Sequence, residues 1–374
     1  MRRSVVLVAL LSVLFTGLTL PESGFAGPLQ PNATFTGGVA FSADAVPGFF
    51  GGDLRVDTTG ANILPSPNTQ DVTVKAAYLY NVTVVGSSPL TTQASLNGNT
   101  VILNLLPGTD PAGLNLQTYR ADVTSIVSPL VNGKAGIIKL PASLISTNPE
   151  SDGLALVVVF ASSGLDPRQS VAIIDGGQAG PTPQTTAFGL ASPLDKSPGF
   201  NAVLSLGINF GQQGGGGPHF CGTTSLTQFS FVDVNGTRLT SCAGGSDDGD
   251  LITVGGVGDS TDNPDPTCQA GPPPPGKPNC STLDDELYDI SSFLKQGDTQ
   301  VRLTTSNISG ITPLLGDDSI FLGILQLTAS INQVCLVSCG PILPPPGVPG
   351  PATLVLLGAG LLALIAGSRL FRRR

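Results

Sequence analysis

The clearest hydrophobic pattern in the chain is an alternation of apolar and polar residues from Val72 to Val84. Successive side chains of a β-strand point to opposite faces, so this alternation predicts a long strand with one buried face. A second segment, Leu154 to Ala161, is apolar throughout and rich in β-branched residues in its middle. Such a run is typical of a central strand that is covered on both faces.

Shorter patterns extend the β character over most of the chain. The Asn97-Gly98 pair between Ser95 and Val101 predicts a hairpin, because a type I′ turn needs positive φ at both central residues. Further strands are predicted at Phe200 to Phe210, Leu226 to Val234, Val301 to Thr305 and Ile320 to Thr328. Two short helices are predicted, around Thr118 to Val127 and Asp284 to Leu294. The sequence therefore predicts an all-β protein.

A series of short motifs occurs twice in the same order. Asp122-Val123-Thr124 matches Asp289-Ile290-Ser291, and Asn97-Gly98 upstream matches Asn235-Gly236. The strands that start at Leu154 and Ile320 follow the two aspartates at nearly the same distance. We therefore predict two tandem antiparallel β-sandwich domains, residues 27–180 and 181–332, with an acidic and Pro-rich insertion at 244–282 in the second.

The repeated element, Asn-Gly followed by Asp-Val-Thr and a glycine turn into a strand, is similar to β-jelly-roll modules, including galactose-binding-like domains. The resemblance implies that each aspartate, Asp122 and Asp289, ties a loop to the edge of a jelly-roll-like sandwich.

Both ends of the chain have the composition of targeting signals. Arg2 and Arg3 precede an uncharged segment and a turn-prone stretch that ends at Ala26, which predicts a signal peptide at residues 1–26. Near the C-terminus, an uncharged apolar segment predicts a transmembrane helix with a basic tail at residues 352–374. The tail arginines, which should remain cytoplasmic, are Arg369, Arg372, Arg373 and Arg374. Residues 333–351, rich in Cys and Pro, predict a semi-rigid stalk.

A sorting motif precedes this helix. The order Val348-Pro349-Gly350-Pro351-Ala352-Thr353-Leu354, apolar helix and arginine cluster resembles the PEP-CTERM signal of Gram-negative, exopolysaccharide-forming bacteria. In that family exosortase, a membrane-embedded cysteine protease, recognises the signal. Gly350 stands where the family has Glu, so processing is less well supported than anchoring, and a plain C-terminal anchor is the alternative. The resemblance implies a protein anchored first in the inner membrane and later located at the cell surface or in the extracellular matrix.

A second resemblance concerns the C-terminal part of the exported region. Leu283 to Asp289, together with Asp298 and Asp317-Asp318, resembles a group of uncharacterised PEP-CTERM proteins. These proteins have no known activity, so the resemblance implies a fold and a location and no reaction.

The composition limits the classes of partner. Charged residues make up 11% of the chain, which has a net charge of −9 and no Trp. The exported part is more acidic still, because six arginines lie in the two signals. An acidic surface argues against binding to nucleic acid or anionic lipid and favours divalent cations or neutral sugars.

The insertion contains the candidate metal ligands. They are Asp247, Asp248 and Asp250 in one cluster, and Asp259, Asp262 and Asp265 in a second. Calcium takes six to eight oxygen ligands, and short acidic loops with glycine can supply several of them. Neither cluster follows the spacing of an EF-hand, so a solvated acidic loop remains the alternative to a calcium site.

Six cysteines lie in the C-terminal half: Cys221, Cys242, Cys268, Cys280, Cys335 and Cys339. An even number in an exported chain predicts disulfides, and pairing of nearest neighbours is the simplest of the fifteen possible arrangements. That arrangement joins Cys221 to Cys242, Cys268 to Cys280, and Cys335 to Cys339. A zinc site is the alternative, although the spacings differ from those of zinc ribbons.

No catalytic or cofactor-binding residue is predicted. His219 is the single histidine, and no nucleophile elbow or phosphate-binding loop is present. The sequence therefore predicts a non-catalytic protein of the surface or extracellular matrix, with an exosortase-type enzyme, the membrane and exopolysaccharide as partners. A carbohydrate- or calcium-binding adhesion module is the alternative, and a polysaccharide hydrolase comes third.

Overall fold

The computed structural model describes residues 29–47, 51–59, 71–84, 92–106, 116–145, 151–178, 182–209, 230–244, 252–263, 286–307 and 319–339. Within these ranges most residues belong to antiparallel β-strands, so the predicted all-β class is confirmed. The two predicted targeting signals lie outside the described residues. Across the described part of the chain, no helix is both long and apolar enough to cross a membrane.

The strands are numbered in chain order. The first nine are β1 (Gln30–Thr36), β2 (Val39–Pro47), β3 (Gly52–Asp57), β4 (Thr73–Val84), β5 (Thr92–Leu96), β6 (Asn99–Leu105), β7 (Leu116–Asp122), β8 (Ile137–Leu144) and β9 (Ser151–Ala161). The others are β10 (Ser170–Gln178), β11 (Gln184–Leu190), β12 (Ala202–Asn209), β13 (Ser230–Val234), β14 (Thr237–Ala243), β15 (Ile252–Val254), β16 (Leu287–Asp289), β17 (Gln300–Asn307), β18 (Ser319–Leu327) and β19 (Ile331–Leu336).

Helices are short, and both predicted helices need correction. The first, α1, spans Thr124–Val131, while the upstream residues that we assigned to it form β7. The second is a 3₁₀ helix at Ser291–Phe293 that follows strand β16. In both places a buried strand precedes the helix, because alternate side chains of that strand enter the core.

The described strands form three sheets. The eight-stranded sheet has the order β2-β9-β4-β7-β6-β5-β8-β3. The six-stranded sheet has the order β1-β10-β18-β12-β15, with β16 also paired to β12. The five-stranded sheet has the order β14-β13-β17-β11-β19. All pairs of described strands are antiparallel, the arrangement in which strands can be joined by tight hairpins.

Three apolar clusters join these sheets into layers. The first cluster fills the space between the β2-β9-β4-β7 half and the β6-β5-β8-β3 half of the eight-stranded sheet. The second lies between the six-stranded and five-stranded sheets. The third, which we call the interlayer core, joins β2, β4 and β9 to β10, β12 and β18. Strands β9 and β18 are therefore covered on both faces, which confirms the prediction for Leu154 to Ala161.

Strand order is the same in the two halves of the chain. The neighbours β2-β9-β4-β7 correspond to β10-β18-β12-β16, and β3-β8-β5-β6 correspond to β11-β17-β13-β14. The hairpins at Asn97-Gly98 and Asn235-Gly236 correspond as well, and both asparagines have positive φ. We call β2–β9 the first repeat and β10–β18 the second repeat. Strands β1, β15 and β19 fall outside this correspondence.

Asp122 and Asp289 occupy equivalent positions in the two repeats. Each carboxylate accepts a hydrogen bond from the backbone two residues later, at 2.9 Å from Thr124 and 2.8 Å from Ser291. The hydroxyls of Thr124 and Ser291 then accept the backbone N–H of Ala77 and Ala202, each at 2.9 Å. The sequence repeat is thus a repeat of hydrogen bonding as well as of strand order.

The N-terminal strand crosses between the repeats. Strand β1 pairs with β10 of the second repeat, whereas β2 pairs with β9 of the first. Gly37 and Gly38, both with positive φ, make the turn between β1 and β2. The domain boundary predicted at residue 180 falls directly after β10, whose partners β1 and β18 lie on opposite sides of it.

Candidate functional site

Most of the predicted calcium ligands lie outside the described residues. These are Asp247, Asp248, Asp250 and Asp265. Asp259 is buried, and its carboxylate accepts the backbone N–H of Gly256, which closes a tight turn. Asp262 is exposed, and its backbone N–H donates to the Ser260 hydroxyl at 3.0 Å. In the part of the chain that the structure describes, no three acidic, histidine or cysteine residues group together as metal ligands.

A buried glutamate closes the base of the insertion. Glu286 is fully buried at positive φ, and its carboxylate accepts the backbone N–H of Gly244 at 2.6 Å. Its carbonyl oxygen accepts the N–H of Leu206 at 3.0 Å. A Cβ on Gly255 would lie 2.1 Å from that same carbonyl oxygen, so only glycine fits there. The two chain ends of the insertion are therefore held together by a charged residue inside the fold.

The interlayer core contains a polar cluster near one end. Tyr80 donates its hydroxyl proton to Asp175 at 2.9 Å, and the guanidinium of Arg120 forms an ion pair with the same carboxylate oxygen. Asn32 of β1 donates to the Tyr80 hydroxyl at 3.3 Å. Arg120 also lies 5.5 Å above the ring of Tyr78. This cluster joins the first repeat, the second repeat and strand β1.

Burial determines the electrostatics of this cluster. Desolvation raises the pKa of Asp175, and the opposing attraction of Arg120 only partly offsets this effect. Burial and the nearby Asp175 carboxylate raise the pKa of Tyr80 well above its usual value, so Tyr80 stays protonated as the donor. Because Asp175 is bound by both Tyr80 and Arg120, its carboxylate serves to join the layers.

A second buried carboxylate lies on β2, at one end of the eight-stranded sheet. Asp44 of β2 accepts hydrogen bonds from the guanidinium of Arg55 in β3, at 2.7 Å from Nη2, and from the Arg55 backbone N–H. Burial raises the pKa of Asp44 despite these bonds. Residues of the second repeat lie directly beside this pair, because the Val257 N–H donates to the Ala43 carbonyl at 2.9 Å.

The sequence reasoning missed Asp44, Arg55, Tyr80, Arg120 and Asp175. The available signal was a charged residue inside an otherwise apolar strand, as at Asp44 in β2 and Asp175 in β10. Their partners could not be read from the sequence, because Tyr80 and Asp175 are 95 residues apart.

One of the three predicted disulfides lies within the described residues. Cys335 and Cys339 form a disulfide at the end of β19, which confirms nearest-neighbour pairing for these two cysteines. The Cys242 side chain and the residues Cys221, Cys268 and Cys280 are outside the described part. The same holds for the predicted sorting residues Pro349, Gly350 and Pro351 and for the tail arginines Arg369, Arg372, Arg373 and Arg374.

Comparison with known proteins gives only distant similarity. No family model matches the chain, and no curated protein matches it. A BuGH86 variant in complex with neoagarooctaose is 10% identical, with a TM-score of 0.20 over 77% of this chain and 34% of that chain. PNGF-II is 11% identical, with a TM-score of 0.24 over 82% of this chain and 62% of that chain.

The chain thus spans less than two thirds of the length of these two proteins. TM-scores at this level do not establish a shared fold, so neither similarity supports a function for this chain.

Proposed function

We propose that the chain is an exported, non-catalytic protein of the cell surface or extracellular matrix. The observation that carries this proposal is that two buried carboxylates are each paired with an arginine and hold parts of the fold together. Asp44 and Asp175 are each bound by an arginine, and both pairs lie where strands or layers meet. In the described body these charges join strands and layers of the β structure, which suits a protein whose role is to be displayed.

The proposed architecture is two tandem jelly-roll-like sandwiches between a signal peptide and a C-terminal membrane helix. The equal strand order of the two repeats supports two sandwiches, each made of one repeat. The interlayer core supports their packing face to face. The N-terminal signal, the Pro-rich stalk and the helix with its basic tail are proposed from the sequence.

The proposed location follows from the C-terminal motif. An exosortase-type enzyme would recognise Pro349-Gly350-Pro351 and release the body from the inner membrane to the surface of a Gram-negative cell. Exopolysaccharide is the proposed neighbour of the released protein, because an acidic body with few aromatic residues fits a hydrated matrix.

Deletion of residues 349–374 tests the location. The shortened protein should appear in the periplasm or medium, because the apolar helix that holds it is gone. A matched variant, Pro349→Ala with Pro351→Ala, keeps the helix and should remain in the membrane fraction without release. Retention of the shortened protein in the membrane fraction would contradict the proposal.

A carbohydrate- or calcium-binding adhesion module is the second candidate. The observation in its favour is the acidic insertion, whose base is held by Glu286. Incubation with neutral polysaccharides, followed by assays for binding and for new reducing ends, separates the candidates. Binding without cleavage would favour adhesion, and cleavage would favour the third candidate, a polysaccharide hydrolase, and overturn the non-catalytic proposal.

A further inference from the structure

Strand β1 is an addition to the duplicated fold. It pairs with β10 of the second repeat, from Gln30 opposite Asp175 to Thr36 opposite Ser170. Among the described residues, the first repeat has no strand that corresponds to it. Strand β1 therefore covers an edge of the second repeat without being part of either repeat.

The first repeat closes the corresponding edge in a different way. Strand β2, the counterpart of β10, pairs only with β9 among the described strands. On its other side, the Phe41 N–H donates to the side-chain oxygen of Gln326 at 3.1 Å. The Ala43 carbonyl accepts the N–H of Val257 at 2.9 Å. These two groups belong to β18 and to the segment after β15, which the body of the protein holds in place, whereas the edge of β10 is covered by the first described strand of the chain.

The site that holds β1 is formed by the rest of the described body. Leu29, directly before β1, is buried in the core between the six-stranded and five-stranded sheets. Phe35 packs against the interlayer core, and Asn32 donates to the Tyr80 hydroxyl at 3.3 Å. None of these contacts involves the turn between β1 and β2. The β1 strand of a second copy would present the same residues to the same site.

A turn of two glycines connects β1 to β2 and can serve as a hinge. Gly37 and Gly38 have φ of 94° and 66°, a region that favours glycine. A Cβ on Gly37 would meet no atom within 4 Å, so backbone conformation and not packing restricts this position. Extending the two residues would carry β1 away from the β10 of its own chain and leave both strands intact.

We propose that β1 is exchanged between two copies of this chain, each β1 pairing with the β10 of the other copy. Such an exchange keeps every contact of the closed form, and short hinge loops favour it. The two forms differ in the conformation of the hinge and in the entropy lost on association, so protein concentration shifts the balance between them. The inference goes beyond display at the cell surface, because it gives displayed molecules a way to link to one another.

Gly37→Val tests the hinge. Valine is disfavoured at positive φ and favours an extended backbone, so it weakens the closed turn without a clash and suits the hinge of the exchanged form. The full chain, purified in detergent, should dimerise at least about tenfold more tightly in this variant, because each dimer relieves two such hinges. Sedimentation over a series of protein concentrations measures the change.

Gly98→Val is the matched control. Gly98 also has positive φ and an open Cβ position, but its turn joins two strands inside the eight-stranded sheet. This variant should lose stability and keep the dimerisation of the parent protein.

A cysteine pair identifies the exchanged strand. Thr34 lies opposite Ala172 in the register of β1 and β10, so Thr34→Cys with Ala172→Cys places two thiols across this pair. The new disulfide should lie within one chain in the monomer fraction and should join two chains in the dimer fraction, as read by non-reducing electrophoresis and mapping of the linked peptides. The parent chain gives a measurement without a hinge variant, since refolding at high protein concentration should yield more dimer than refolding at low concentration.

Three results would overturn the proposal. The first is a Gly37→Val protein that dimerises no more tightly than the parent, and the second is a dimer fraction whose engineered disulfide lies within single chains. The third is equally tight dimerisation of Gly98→Val, which would show that lost stability alone drives association. All of these measurements use purified protein, so their failure would leave the proposed location at the cell surface untouched.

Discussion

Asp175 is a carboxylate at a position where a strand of the interlayer core would ordinarily place an apolar side chain. Its cost of burial is partly offset by the hydroxyl of Tyr80 and the guanidinium of Arg120. Removing one partner of such a group leaves an uncompensated buried charge, which destabilises more than the intact pair stabilises. The cluster therefore defines how the two repeats meet more than it adds to their net stability.

Asp175 should make stability depend on pH. Because its pKa is raised, the folded protein binds this proton more tightly than the unfolded chain does above the ordinary Asp pKa of about 3.9. The contribution of Asp175 to the free energy of unfolding therefore falls as pH rises through the range from the ordinary to the raised pKa. In Asp175→Asn this fall should be absent, so that the slope above the ordinary Asp pKa becomes less negative. Denaturant unfolding at a series of pH values measures the slope.

Asp166→Asn is the control for that experiment. The hydrogen bond from Arg168 lowers the pKa of this carboxyl, so its contribution to stability rises with pH, and the variant should lose that rise. Its slope should therefore become less positive near and below the ordinary Asp pKa of about 3.9, which is the opposite direction and a lower pH range than for Asp175. An Asp175→Asn slope equal to that of the parent protein would show that this carboxyl titrates as it does in the unfolded chain.

At the scale of elements, the two Asn-Gly hairpins provide a matched pair. Gly98 and Gly236 both have φ of 77°, and a Cβ at either position would meet no atom within 4 Å. Alanine would therefore be disfavoured by its backbone conformation and not by a clash. Gly98→Ala and Gly236→Ala should each lower the free energy of unfolding by about 1 kcal/mol, measured by denaturant titration. Asparagine at the same positions should cost less, since it tolerates this conformation, and an unequal loss in the two hairpins would contradict their equivalence.

Regular patterns made some of these elements predictable and left others hidden. Strands β4 and β9 were predicted because alternation or continuous apolar residues extend over their whole length. Strand β2 was missed because Ser42 and Asp44 interrupt its apolar residues, although both are buried. Strands β15 and β16 have three residues each, too few for any period to be visible. The predicted helix boundaries were wrong because β7 and β16 each end just before a helix, and the residues of these strands were assigned to the helix.

The candidate sites were less predictable than the strands. Acidic clusters are visible in a sequence, and this directed attention to the insertion. Asp44 and Asp175 are visible in the sequence as charges inside apolar strands, but their partners Arg55, Tyr80 and Arg120 are known only from the packing of the folded chain. The packing of strands that are distant in the chain is a property of the folded protein, so no local pattern reveals these pairs.

At the scale of the whole molecule, the interlayer core should make the two repeats unfold together. Phe321 of the second repeat is fully buried there, with its ring 6.0 Å from that of Tyr80 in the first repeat. Phe321→Ala should lower the free energy of unfolding by about 3–5 kcal/mol, and calorimetry should detect one lowered transition. Ile102→Ala, at a 57% exposed position, should change it by less than about 0.5 kcal/mol. Two separate transitions in the parent protein would contradict this coupling.

The position of β1 also has a consequence for the time course of folding. The first described strand to leave the ribosome pairs with β10, so it must wait until the whole first repeat has been synthesised. During that interval the apolar faces of β2, β4 and β9 have no covering layer, and Phe41, Val157 and Val159 face solvent. A chain stopped between the repeats would therefore present an open strand edge beside an apolar sheet, a combination that promotes aggregation. Because β1 pairs with a strand of the second repeat, its hydrogen-bonding edge stays unpaired until synthesis has passed β10.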